Sequence, residues 1–146
     1  MSSLLTDHLL SLIIAVPFIG MVVLAFLSER KWVLSVTLAI TLLNAALAFY
    51  LWNQFSLVEA GMQFVERLEW MPTFGIEYAV GVDGISLLLV LLTTILPPLC
   101  VLGSWESITS RLKAFMMLIL LVEGAMLVVF TALDAFLFFM MWEVTM

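Results

Sequence analysis

Apolar residues run along this chain in blocks of about 20, the length that crosses a hydrocarbon core of roughly 30 Å. Short polar breaks separate the blocks. The first block spans 9–27 and contains Pro17 and Gly20. Both are tolerated where neighbouring helices satisfy the freed backbone groups. Glu29, Arg30 and Lys31 close it with a tight, charged turn. The second block, 32–52, carries Trp32 and Trp52 at its ends, which suits a helix held between two interfaces. A third block covers 84–103, a fourth 114–132, and a fifth begins at 135 and stops at Met146, about half a bilayer deep. The pattern predicts an all-α membrane bundle, with four complete helices and the start of a fifth.

The long connection, 53–82, has a different period. Phe64, Glu66, Leu68 and Trp70 alternate with Val65, Arg67 and Glu69. Downstream, Phe74, Ile76, Tyr78, Val80 and Val82 alternate with Gly75, Glu77, Ala79 and Gly81. Period two is the mark of a strand with one apolar face. With Met71, Pro72 and Thr73 as the turn, the expectation is an extramembrane β-hairpin lying over the bundle. Asp83 precedes the third helix and is placed to cap it, accepting from the N–H of Ile85 or Ser86. Pro97 and Pro98 cannot donate to the carbonyls of Thr93 and Thr94, so a kink is expected there, with the threonine hydroxyls relieving what is freed.

Composition agrees with a membrane location. The chain is 65% hydrophobic and 11% charged, too few charges to clothe a soluble domain of 146 residues. Half of the net charge of −6 comes from the hairpin connection, and it points to no charged partner. No basic stripe suggests nucleic acid. Arg30, Lys31, Arg111 and Lys113 lie in the two connections that would share one side. Those loops are expected to face the cytoplasm or its equivalent, with the hairpin and the N-terminus outside. The first block lacks a basic leader and a cleavage site, so it is read as a retained helix. Cys100, with no second cysteine, is read as a small packing residue, and His8 as an interfacial surface histidine. No metal site and no catalytic group is expected.

Two carboxylates, Glu123 and Glu143, fall inside apolar blocks. An acid at mid-bilayer costs roughly 2.5–3.5 kcal/mol on insertion scales, so such residues face a bundle interior and mark a pathway. Glu123 lies nine residues before Ala132 and Glu143 nine after Asp134. At about 1.5 Å per residue, both sit roughly 13 Å below the turn between them. The alternative is a protonated acid that only bonds to a neighbouring helix. Asn44, inside the second block, is read as such a cross-helix hydrogen bonder. A midplane acid handles protons when a movable cation sits beside it. No lysine lies inside any block, so that cation is expected from another segment or subunit.

The stretch from Phe64 to Trp70, then Gly75-Ile76-Glu77-Tyr78, then 81–87, resembles the M subunit family of NADH-quinone oxidoreductase, respiratory complex I. So does 129–146. The related L subunit and the cation/proton antiporters share the Val82-Asp83-Gly84 element and the Trp142-Glu143 pair. The resemblance implies a longer, antiporter-like subunit with one proton path driven by distant quinone reduction. It implies that Glu143 is the acid of the fifth helix, paired with a lysine on a later, broken helix, and that Glu123 matches an acid found in many members. Asp83 matches as a word and is kept as a helix cap. The implied partners are the lipid bilayer, the other membrane-arm subunits, and a C-terminal part of the same subunit carrying the lysine. NADH, FMN, Fe–S clusters and quinone would belong to other subunits, and this chain alone is not expected to catalyse. The implied location is a bacterial inner membrane or a mitochondrial inner membrane. The rivals are a subunit of a cation/proton antiporter or membrane-bound hydrogenase, and a truncated, non-transporting remnant.

Overall fold

A computed structural model describes residues 8–56, 58–59, 61–108 and 110–146. Within them, helices α1 (Leu9–Phe26), α2 (Arg30–Gln54), α3 (Gly84–Gly103) and α4 (Leu112–Thr131) form the bundle, and α5 (Ala135–Thr145) follows. Strands β1 (Gln63–Met71) and β2 (Ile76–Val82) make an antiparallel pair between α2 and α3. Four of the helices are long and apolar enough to cross a membrane. The chain is therefore a helix bundle with a small hairpin, as the block pattern predicts.

Helix α4 is the hub, packed against α1, α2, α3 and α5. Close approach is possible because small residues sit at the crossings. A Cβ on Gly124 would stand 2.8 Å from the Phe18 ring, and one on Gly20 would stand 2.9 Å from Ile40. Glycine lets these helices touch through backbone. Outward faces stay apolar: Ile19, Val22, Leu42, Leu43, Leu88, Leu92, Leu99 and Leu118 are exposed. Such a surface is matched by acyl chains rather than water.

At one end, Arg30 donates to the carbonyls of Ile108 and Trp105 at 2.7 and 2.6 Å. Lys113 donates to Ala25 O at 2.6 Å, where the carbonyls ending α1 lack helical partners. The two basic connections thus meet at the same end of the bundle.

The opposite end is covered by the hairpin. Strand β2 has β1 on one edge and the α4–α5 turn on the other, where Leu133 N–H donates to Ala79 O at 2.8 Å. Ala79, Val80, Gly81 and Val82 are all buried. This corrects the expectation of one greasy face, because the C-terminal half of β2 is covered on both sides. A side chain at Gly81 would press on Leu133 and Val65. The turn is Pro72–Phe74 followed by Gly75 at φ 65°, so Phe74 belongs to the turn and not to β2.

Helix α3 runs unbroken through Pro97 and Pro98. The hydroxyls of Thr93 and Thr94 bond to Leu89 O and Leu91 O, one turn upstream. They do not relieve their own carbonyls as expected; a threonine hydroxyl in a helix reaches back more readily than forward. Cys100 is exposed on the flank of α3, which corrects its assignment as a packing residue.

Candidate functional site: a buried acid–amide pair in the bundle

Three threonine and asparagine positions on α2, Thr37, Thr41 and Asn44, share one face and are fully buried. They follow the three- and four-residue steps of a helix. Both threonine hydroxyls return to carbonyls of their own helix. Asn44 instead reaches across to α4, its Nδ2 donating to Glu123 Oε1 at 2.7 Å. Glu123 is 2% exposed and Asn44 0%. The remaining oxygens, Glu123 Oε2 and Asn44 Oδ1, have no hydrogen-bond partner among the described residues. An orphan acceptor at such depth is costly until a donor meets it.

Glu123 lines a cavity of about 460 Å³ between α3 and α4, with Thr93, Pro97 and Cys100 among the walls. The lining is otherwise apolar, so Glu123 is the strongest polar group facing it. The arrangement can hold a proton at mid-bilayer and present it to one flank.

Glu143 lies elsewhere. It is exposed on α5, beside the aromatic cluster of Phe138, Phe139 and Trp142. The structure does not bring Glu123 and Glu143 together. Asp83 caps α3 in a capping box: its Oδ1 accepts from Ser86 N at 2.7 Å and Ile85 N at 3.1 Å, while Ser86 Oγ accepts from Asp83 N. The Ser86 N–H bond, first among these donors, holds the Asp83 carboxyl below its ordinary value. Asp134 caps α5 by accepting from Leu137 N at 3.0 Å.

A second buried carboxylate was not singled out from the sequence. Glu66, on β1, is 8% exposed. Its Oε1 accepts from Leu10 N at 2.9 Å and Ser11 N at 3.2 Å, and its Oε2 accepts from the Ser11 hydroxyl. His8 begins α1 without a side-chain cap of its own, so the strand supplies the cap from 55 residues away. Phe64 at φ 54° and the register break between Gln63 and Glu66 form a bulge, which turns Glu66 toward α1. Ser11 has one hydroxyl proton and gives it to Glu66, so Tyr78, 2.9 Å away, donates to Ser11. The alternation did not mark Glu66, because Leu68 and Trp70, in phase with it, are exposed.

The family model described as NADH-ubiquinone oxidoreductase chain 4, amino terminus, matches residues 11–131. The chain is similar to NAD(P)H-quinone oxidoreductase chain 4 1 of Synechococcus elongatus, 43% identical over 99 residues, covering 68% of this chain and 18% of the relative. It is 37% identical over 136 residues to NADH-ubiquinone oxidoreductase chain 4 of Arabidopsis thaliana, covering 92% and 28%. It is 35% identical over 136 residues to F(420)H(2) dehydrogenase subunit M of Methanosarcina mazei, covering 93% and 28%. The chain spans between 18% and 28% of the length of these relatives. With apolar helices of membrane-crossing length and a family match across the whole bundle, this integral membrane protein belongs to the NADH-ubiquinone oxidoreductase chain 4 family.

Proposed function

We propose that this chain is the amino-terminal part of a proton-translocating membrane-arm subunit, coupling electron transfer from NADH to quinone to proton pumping. The observation that carries the reading is Glu123, an acid at mid-bilayer with one oxygen unpartnered and one side facing a cavity. A purely structural acid would have its oxygens satisfied. Glu143 is the switchable acid of the path, exposed on a face of α5 where a later segment with its lysine would pack. Glu123 is a relay or tuning acid of the same path. Redox cofactors and quinone belong to other subunits, and the membrane is a bacterial inner or mitochondrial inner one. The hairpin and N-terminus face outside; the meeting of Arg30 and Lys113 at the opposite end supports that orientation.

The test is Glu143→Gln in the full-length subunit within its assembled complex. Pumping is expected to be abolished or sharply reduced while assembly is mostly retained. A normal proton-to-electron ratio would sink the role. A second reading is favoured by one observation, the F(420)H(2) dehydrogenase relative at 35% identity. The same helices would then serve a complex with a different electron donor. Purification of the complex that holds this subunit, followed by assay with NADH and with other reductants, separates the two.

A further inference from the structure

We infer that Asn44 and Glu123 form a cyclic acid–amide pair, in which Asn44 positions Glu123 in its proton-bearing form. The inference rests on the reading of Glu123 as a proton-path acid and adds the residue that controls it. Asn44 Nδ2 donates to Glu123 Oε1 at 2.7 Å, which joins the amide to the carboxyl. The two remaining oxygens, Asn44 Oδ1 and Glu123 Oε2, both accept, and neither has a donor among the described residues. One proton on Oε2 satisfies both at once, because Oε2–H then donates to Oδ1 and closes the ring. No cation competes for this role inside the chain: every lysine and arginine lies at a helix end or in a connection. Neither ion pair among the described residues involves Glu123. A bare carboxylate here would face a single amide donor and a lone pair of the same sign, in a region without water-like screening.

The ring has a consequence for transfer. Asn44 cannot take the proton itself, since an amide oxygen is a poor base. The proton therefore leaves Glu123 only when the ring opens, with the acid swinging toward the cavity that Thr93 and Pro97 line. Asn44 is a positioning residue: it fixes which way the loaded acid points and how readily it lets go.

Infrared spectroscopy of the full chain in lipid bilayers tests the pair. The wild type is expected to show a protonated carboxyl C=O band that Glu123→Gln removes. Asn44→Leu is expected to move that band to higher wavenumber, because its C=O loses a donated hydrogen bond. Absence of the band in the wild type, or a band that Asn44→Leu leaves in place, overturns the pair. Should Asn44→Leu fail to fold, Glu123→Gln carries the test. A glutamine amide donates to Asn44 Oδ1 where the acid did, so its thermal unfolding should coincide with wild type, and a clear fall in melting temperature overturns the ring. Proton pumping by Glu123→Gln in the assembled complex is read separately. Unchanged pumping with the infrared result intact removes the relay reading and leaves the pair standing.

Discussion

Glu66 and Glu123 are both buried carboxylates, yet their surroundings differ in kind. Glu66 sits where the hairpin meets the start of α1, and donors of one helix terminus and one hydroxyl converge on both its oxygens. Those N–H groups lack helical partners in any helix, and the positive end of the helix dipole favours the negative charge. Glu123 sits in the middle of α4, where every backbone donor is already used, and meets one side-chain amide. The first carboxylate answers a demand that the fold creates. The second creates a demand that the fold leaves half met. Burial alone thus does not mark a functional acid; an unfilled hydrogen-bond capacity does.

The sharpest way to break this contrast is to remove Glu66. Glu66→Leu strands the buried Leu10 N–H and the Ser11 donors and removes the clasp between hairpin and bundle. The expected loss is about 2–4 kcal/mol, from unsatisfied donors and a lost cap together. Glu66→Gln keeps an acceptor and should lose about 1 kcal/mol, the charge-dependent share. Urea unfolding in mild detergent measures both. A loss under about 1 kcal/mol for Glu66→Leu would mean that the hairpin is held by β2 and its apolar contacts alone.

The mid-bilayer pair should behave in the opposite way. Either single change, Asn44→Leu or Glu123→Leu, leaves a buried polar partner alone and should lose about 1–3 kcal/mol. The double change Asn44→Leu/Glu123→Leu removes both and should fall within about 1 kcal/mol of wild type, since apolar groups replace a buried polar pair at little net loss. The same unfolding assay completes the double-mutant cycle. A double variant as weak as the sum of the singles would make the pair structural and blur its difference from Glu66.

The sequence made these two acids unequally visible for a physical reason. Glu123 is conspicuous because a charge in a 20-residue apolar block has no solvent to excuse it. The same argument exposed Glu143, but its direction depends on helix rotation, and α5 leaves it on an outer face. Asn44 was legible as a cross-helix bonder, whereas its partner was not, because pairing across 79 residues is set by how α2 and α4 pack. Helix positions followed from block length, and the Asp83 cap from local spacing, since both are decided within a few residues. Glu66 was hidden among Arg67, Glu69 and Glu77, where a carboxylate looks solvated. Its burial depends on a bulge at Phe64 and on the distant N-terminus of α1, neither of which a period-two pattern encodes. The covering of both faces of β2 was missed likewise, because the α4–α5 turn that covers its second edge is remote in sequence.

The smallest expected effect lies in the Glu66 cluster and refines what holds it. Burial raises the Tyr78 hydroxyl above its ordinary 10.0, and the nearby Glu66 charge adds to the rise. A phenol whose folded value is raised keeps its proton longer in the native state. Its contribution to stability is therefore whole below pH 10.0 and is lost as pH climbs through the higher folded value. Ionised Tyr78 could no longer donate to Ser11, and it would place a second negative charge beside Glu66. Tyr78→Phe should therefore flatten the alkaline limb of the stability curve while lowering neutral-pH stability by about 1 kcal/mol, the usual net worth of a hydrogen bond. Unfolding curves between neutral pH and strong alkali, with wild type and variant side by side, check both parts. If the alkaline limb keeps its slope without Tyr78, the ionising group lies elsewhere, and the clasp on α1 rests on Glu66 and Ser11 without a phenol behind them.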